Sequence, residues 1–300
     1  MKKQAYKDQV SLLLTVLPEV AKEESLAMHG GTAINLFVRD MPRVSVDIDL
    51  TYLPIEDRKT SLDNITNALD RIKTRIENLK LGIKVDQNKD ESKLLVSRNG
   101  AVVKLEVNQI MRGVISDVTD MDLCKSAQKE YEAYCNMPIV PIGQLHGGKI
   151  CAALDRQHPR DIFDVKYILK NGGLNEEIKA GLMYCLLSSA RPLHELLNPH
   201  FQDQGEAMEN QFDGMTEEEF TYKEYEAIRK QLLDTILQNL SEEDKVFLIS
   251  FSKLEPDWDK YDFQEFPSVK WKLQNLQKLQ KTNPKKFNEQ NDLLKELLVD

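Results

Sequence analysis

Between positions 6 and 27, Val10, Leu13, Leu14 and Leu17 recur at the three- and four-residue steps of a helix, which Pro18 interrupts. A Gly-Gly turn follows, then a helix over about 32–39 and a strand over 44–52. Residues 56–80 place Leu62, Ile65, Leu69, Ile72, Ile76 and Leu79 on one helical face. Three strands are predicted next, at 82–87, 93–98 and 101–110, the last two joined by Asn99-Gly100, a strong two-residue hairpin signal. A loop around 112–122, a strand near 131–140 and a helix over 142–156 come after it. His158-Pro159 breaks that helix and opens another, over 160–170.

From 174 onward the pattern is helical, with no convincing strand. The polar, Gly-containing stretch 198–222 reads as a mobile acidic loop. Asn171-Gly172-Gly173 marks a boundary. The expectation is an α+β fold, an N-terminal domain with a mixed sheet over 1–172 and a helical C-terminal domain over 173–300.

A chain of 300 residues has ample material for a core. No apolar run is long enough to span a membrane, and charge interrupts the first twenty residues too often for a signal peptide. Cys124, Cys135, Cys151 and Cys185 form no CxxC pair, and the five histidines are scattered. A zinc site is therefore not expected, and reduced thiols in a cytoplasmic protein are. Net charge is −9, but residues 1–200 carry 27 basic and 27 acidic side chains. The stretch 201–250 carries 4 against 13, and 251–300 carries 9 against 9, with lysines crowded between Lys270 and Lys286. A local basic surface is enough to steer a polyanion, so the charge balance does not decide the partner.

Candidate chemistry concentrates between His29 and Tyr52. On a strand, Asp47 and Asp49 share one face while Ile48 and Leu50 point to the core. Two neighbouring carboxylates repel, and Mg²⁺, which prefers carboxylate and phosphate oxygens, would remove that cost. Solvated edge-strand acids are the plainer reading. Gly30-Gly31-Thr32 ahead of a helix could cradle a phosphate on free N–H groups, or be a simple turn capped by Thr32. On 101–110, Lys104, Glu106 and Asn108 alternate with Val103, Leu105 and Val107. If that strand neighbours Asp47 and Asp49, Glu106 is a third carboxylate of the kind a two-metal site needs. Lys149 follows Gly147-Gly148 in a mostly apolar helix, either reaching a phosphate or snorkelling to solvent. Asp161, three before Asp164, could be only a first-turn acid. Arg43, Arg156 and Arg160 could pair with these acids or grip phosphate.

Together GGTAINLF, SVDIDL, KLEVN and K-x(6)-R followed by RDIFDV resemble the AbiEii/type IV toxin nucleotidyltransferases, within the DNA-polymerase-β-like nucleotidyltransferase superfamily. The resemblance covers about residues 25–170. Gly-Gly-Thr with Asp-x-Asp is shared across the superfamily, whereas Lys149 and Arg160-Asp161-x-x-Asp164 narrow it to the toxin-like branch. It implies a polymerase-β-like domain that moves a nucleoside monophosphate from an NTP to an acceptor hydroxyl. Gly30, Gly31, Thr32 and Arg43 would hold the triphosphate, and Asp47, Asp49 and Glu106 would bind Mg²⁺, two ions in this reading. Lys149 would neutralise phosphate charge, and Asp161 would be the essential C-terminal acid. It further implies the 3′ end of tRNA as acceptor, a block on translation and growth, and a cognate antitoxin protein. A small-molecule or protein acceptor, and a non-catalytic RNA- or partner-binding module, are the alternatives.

Overall fold

The computed structural model describes residues 2–299. Its contacts divide the chain into two compact units. One comprises the residues up to Leu145 together with Phe212–Glu219; the other comprises His146–Gln211 and the residues from Phe220 onward. The Asn171-Gly172-Gly173 turn, where the sequence predicts a boundary, lies inside the second unit.

The first unit is built on a seven-stranded mixed sheet. Its strands are β1 (Leu26–His29), β2 (Asp47–Tyr52), β3 (Lys84–Asn88), β4 (Lys93–Arg98), β5 (Ala101–Asn108), β6 (Thr119–Asp122) and β7 (Asn136–Ile139), in spatial order β3-β4-β5-β2-β1-β7-β6. β2 runs parallel to β5 and antiparallel to β1, and β1 runs parallel to β7. The β4–β5 hairpin closes at Asn99-Gly100, both at positive φ, as the dipeptide predicts.

Helix α1 (Lys2–Val20) passes through Pro18 into its last turn, and α3 (Arg58–Asn78) is capped by Asp57, whose carboxylate accepts the Lys59 and Thr60 amides. α1 packs on β5, and α3 on β3 and β4. The α3 stripe of Ile65, Leu69, Ile72 and Ile76 is buried with Ile48, Leu50, Val103 and Leu105. Each such side chain contributes about 1.5–3 kcal/mol of burial. Between them α2 (Gly30–Ala33) runs on into one π-helical turn, Ile34–Val38. Two short strands depart from the sequence reading. β1 occupies the end of the expected first helix, and β6 lies in the expected loop at 112–122.

α4 (Lys125–Tyr131) precedes β7, and α5 (Ile142–Arg156) leads into the second unit. That unit holds α6 (Pro159–Lys170), α7 (Glu176–Ser188), α8 (Leu193–Leu197), α9 (Gly205–Ala207, continued by a π-helical turn), α10 (Tyr222–Asn239), α11 (Glu242–Ser252), α12 (Pro267–Thr282) and α13 (Pro284–Val299). Among the described residues it contains no strand, as expected from 174 onward. The stretch 198–222 is not the mobile loop predicted: Phe212, Met215 and Phe220 are buried, and residues 212–219 pack within the first unit. There the Met215 carbonyl accepts the Val44 amide at 2.8 Å, and the Thr216 hydroxyl donates to the Pro42 carbonyl at 2.9 Å. No helix among the described residues is long and apolar enough to cross a membrane.

Candidate active site

In the first unit the chain leaves β1 at His29 and turns at once into α2. Gly30 sits at φ +78°, and a Cβ there would lie 2.6 Å from Asp49 Oδ2. Only glycine therefore allows the turn to abut that carboxylate. A Cβ on Gly31 would lie 2.8 Å from Arg43 Nη2 and 3.0 Å from Ser45 Oγ. The turn is thus flanked by Asp49 on one side and by Arg43 and Ser45 on the other. Arg43 is buried, its Nη1 donating to the Val44 carbonyl at 2.9 Å. Its neighbours Pro42 and Val44 are the two residues fastened to Met215 and Thr216.

Thr32 behaves differently from its expected partners in the triphosphate cradle. It is buried, and its hydroxyl donates to the Asp47 carbonyl and lies 3.0 Å from Ser45 Oγ. Its side chain fastens the turn to β2, and what remains for a phosphate is its backbone amide in the first turn of α2. Ser45 was not singled out from sequence. Its signal is the two-residue step it shares with Asp47 and Asp49.

The strand register brings three carboxylates to one face. β2 and β5 pair with Asp47 opposite Lys104, Asp49 opposite Glu106 and Thr51 opposite Asn108. On the other side Asp49 faces His29, whose Nδ1 is 2.9 Å from Thr51 Oγ1. Ile48, Leu50, Leu105 and Val107 alternate with these into the core. Lys104 is the group that sequence reasoning placed on the face and left without a role. Its Nζ lies 3.0 Å from Glu106 Oε2. Burial alone would lower its pKa, but the Glu106 hydrogen bond and the Asp49, Glu106 and Asp47 charges hold it above the usual lysine value.

These donors fit a hard divalent cation. They are carboxylate oxygens, Mg²⁺ takes such oxygens, and Gly30 leaves bare the space beside Asp49 Oδ2 that a Cβ would fill. Among the described residues, no three His, Cys, Asp or Glu side chains stand close enough to hold an ion as they are.

Lys149, Asp161 and Asp164 belong to the second unit. Lys149 Nζ is 2.8 Å from Asp161 Oδ1 and 3.0 Å from Asp164 Oδ2, with all three side chains buried. Arg156 completes the network with Nε 2.7 Å from Asp161 Oδ2 and Nη2 3.2 Å from Oδ1. Burial would raise the Asp161 pKa, but the Lys149 and Arg156 charges outweigh it and hold the carboxyl well below its usual range. The spacing of Asp161 and Asp164 places both on one face of α6, capped by His158, whose Nδ1 accepts the Arg160 amide. Lys149 is neither snorkelling nor open to solvent; its ammonium joins two helices through two acids.

A search of curated proteins finds no match. Among solved structures, MenT4, a nucleotidyltransferase toxin from Mycobacterium tuberculosis H37Rv, is similar over 91% of this chain and 93% of its own, with a TM-score of 0.64 and 12% identity. At that identity the likeness shows a shared α+β nucleotidyltransferase-toxin fold. The family described as nucleotidyl transferase AbiEii toxin, Type IV TA system, matches residues 11–275. That match takes in the glycine turn, the Asp-x-Asp strand and the Lys149 network, and the chain belongs to the AbiEii nucleotidyltransferase toxin family of type IV toxin–antitoxin systems.

Proposed function

We propose that this toxin transfers a nucleoside monophosphate from a Mg²⁺-bound NTP to the 3′-terminal hydroxyl of a tRNA in the cytoplasm, blocking translation until a cognate antitoxin restrains it. The observation that carries the reading is the carboxylate row Asp47, Asp49 and Glu106 beside the bare Gly30 turn. In this reading the Gly30, Gly31 and Thr32 amides receive the triphosphate, with the Arg43 guanidinium beside them. Asp47, Asp49 and Glu106 would hold Mg²⁺, which supplies charge neutralisation of the triphosphate and a lowered pKa for the acceptor hydroxyl.

The acceptor oxygen attacks the α-phosphorus in line, its bond forming as the bond to the bridging β-phosphate oxygen breaks, and pyrophosphate leaves. Asp49 and Glu106 are the carboxylates available to take the hydroxyl proton. Positioning and charge compensation make up most of the catalysis, as little covalent chemistry is asked of the protein. Lys149 and Asp161 enter the reading as one unit, with Arg156 their solvent-exposed charge.

A second feature favours a polyanionic acceptor over a small molecule. Between Glu265 and Glu289 the chain has six lysines and no acid or arginine. Lys278, Lys281, Lys285 and Lys286 are exposed around the turn that joins α12 to α13. Point charges on flexible stems, interspersed with amides, suit phosphate-backbone contacts, whereas protein interfaces are depleted in lysine. Incubation with labelled NTPs and either total RNA or lysate protein distinguishes the acceptors. Label in tRNA is expected; label only in protein or in small molecules would overturn the RNA reading.

A further inference from the structure

Lys104 stands where the acid face needs positive charge. It is opposite Asp47 on the neighbouring strand, two residues before Glu106, and its Nζ is 3.0 Å from Glu106 Oε2. Side chains two apart on β5 point the same way, so Lys104 shares the face with all three carboxylates, while Val103, Leu105 and Val107 anchor the strand in the core. Without it, Asp47, Asp49 and Glu106 would present three like charges across two adjacent strands, an arrangement that destabilises a sheet. Both partners of the Lys104–Glu106 pair are partly exposed, at 36% and 40%. Such a pair is weak and easily exchanged. A divalent ion competing for the same oxygens brings twice the charge and accepts more ligands than an ammonium can satisfy.

We propose that Lys104 is a resident counter-ion of the acid face, which a divalent cation must displace from Glu106 before the three carboxylates can close around it. The proposal rests on the reading of Asp47, Asp49 and Glu106 as metal ligands. It makes metal entry an exchange: the lysine keeps the metal-free face together and lowers its affinity for the bare ion. The triphosphate, arriving with the ion, adds the negative charge that lets the displaced ammonium remain nearby. Affinity for Mn²⁺ alone is then weaker than affinity for Mn²⁺ in the presence of a non-hydrolysable NTP.

The test is Mn²⁺ titration of the full chain by calorimetry, with thermal melting in chelator as a second readout. Lys104→Met is expected to bind Mn²⁺ roughly tenfold more tightly than the wild type, since a positive charge next to the ion is removed. The same variant should melt lower than wild type in chelator and recover on adding Mn²⁺. Lys104→Gln, closer in polarity, carries the same expectation should the Met variant fail to fold. Lys93→Met is the control: Lys93 lies opposite Glu106 on β4 but pairs with Glu91, so its removal should change the affinity much less. Equal or weaker binding by the Lys104 variants, or an equal gain from Lys93→Met, would overturn the exchange. Absence of Mn²⁺ binding in wild type and variants alike would instead overturn the metal-ligand reading on which it rests.

Discussion

Gly30 is the residue on which the first-unit site turns, because its missing Cβ is what lets Asp49 stand against the start of α2. Gly30→Ala would bring a Cβ to 2.6 Å from Oδ2 at φ +78°, straining the backbone by about 1–2 kcal/mol and pushing the carboxylate aside. Steady-state kinetics should show transfer falling on the order of 10²-fold, the effect expected of a misplaced catalytic group. In the second unit, Lys149→Ala would leave Asp161 and Asp164 buried without their shared cation. Denaturant unfolding should register a loss of about 3–5 kcal/mol, the usual result of breaking a buried pair from one side. The same network predicts a pH dependence. The folded-state pKa of Asp161 is depressed, so its contribution is present in full above its unfolded pKa of about 3.9 and is lost as pH falls below that value. Melting temperature followed from pH 6 downward should drop below about pH 4, and Asp161→Asn should flatten that part of the curve.

At the scale of elements, Gly147 and Gly148 look alike in sequence and differ in structure. A Cβ on Gly147 would fall 2.2 Å from the Leu182 amide nitrogen and 2.3 Å from the Gly181 carbonyl carbon, so α5 and α7 touch there by their backbones. One on Gly148 would meet only Cys185 Sγ at 3.6 Å. Gly147→Ala should therefore destabilise by about 3 kcal/mol or more, and Gly148→Ala should be neutral or stabilising by up to about 1 kcal/mol, both read from chemical melts. Sequence could not separate the two, because the contact comes from a helix more than thirty positions away. Long periodic elements were legible: the α3 stripe, the β4–β5 hairpin and the alternation on β2 and β5 all stand as read. β1 and β6, four residues each, are too short to show a period. The stretch 198–222 misled because three widely spaced anchors, Phe212, Met215 and Phe220, are outnumbered by polar residues that stay in solvent. Side-chain chemistry was visible where the register was not. Glu106 could be suspected from alternation alone, but only the β2–β5 pairing puts it opposite Asp49 and reveals Lys104 among the acids.

For the whole molecule, the net charge of −9 conceals a division of labour along the chain. The acidic excess lies in 201–250, while the exposed lysines of the α12–α13 turn offer a local site for a polyanion. All four of these lysines, Lys278, Lys281, Lys285 and Lys286, and the whole of α13 lie beyond residue 275, where the family match ends. Replacing Lys278, Lys281, Lys285 and Lys286 by alanine should weaken RNA binding and shallow its dependence on salt by about 0.7 in log–log slope for each phosphate no longer neutralised. An unchanged slope in a filter-binding series would remove this turn from the RNA interface. Nucleotidyl transfer to RNA by the acid face of β2 and β5 underlies the whole reading proposed for this toxin. It is tested most directly by mass spectrometry of tRNA after incubation with each of the four NTPs, comparing wild type with a folded Asp47→Asn variant. The wild type should add one or more nucleoside monophosphates to the tRNA 3′ end and the variant none; equal addition by both would refute transfer at this face.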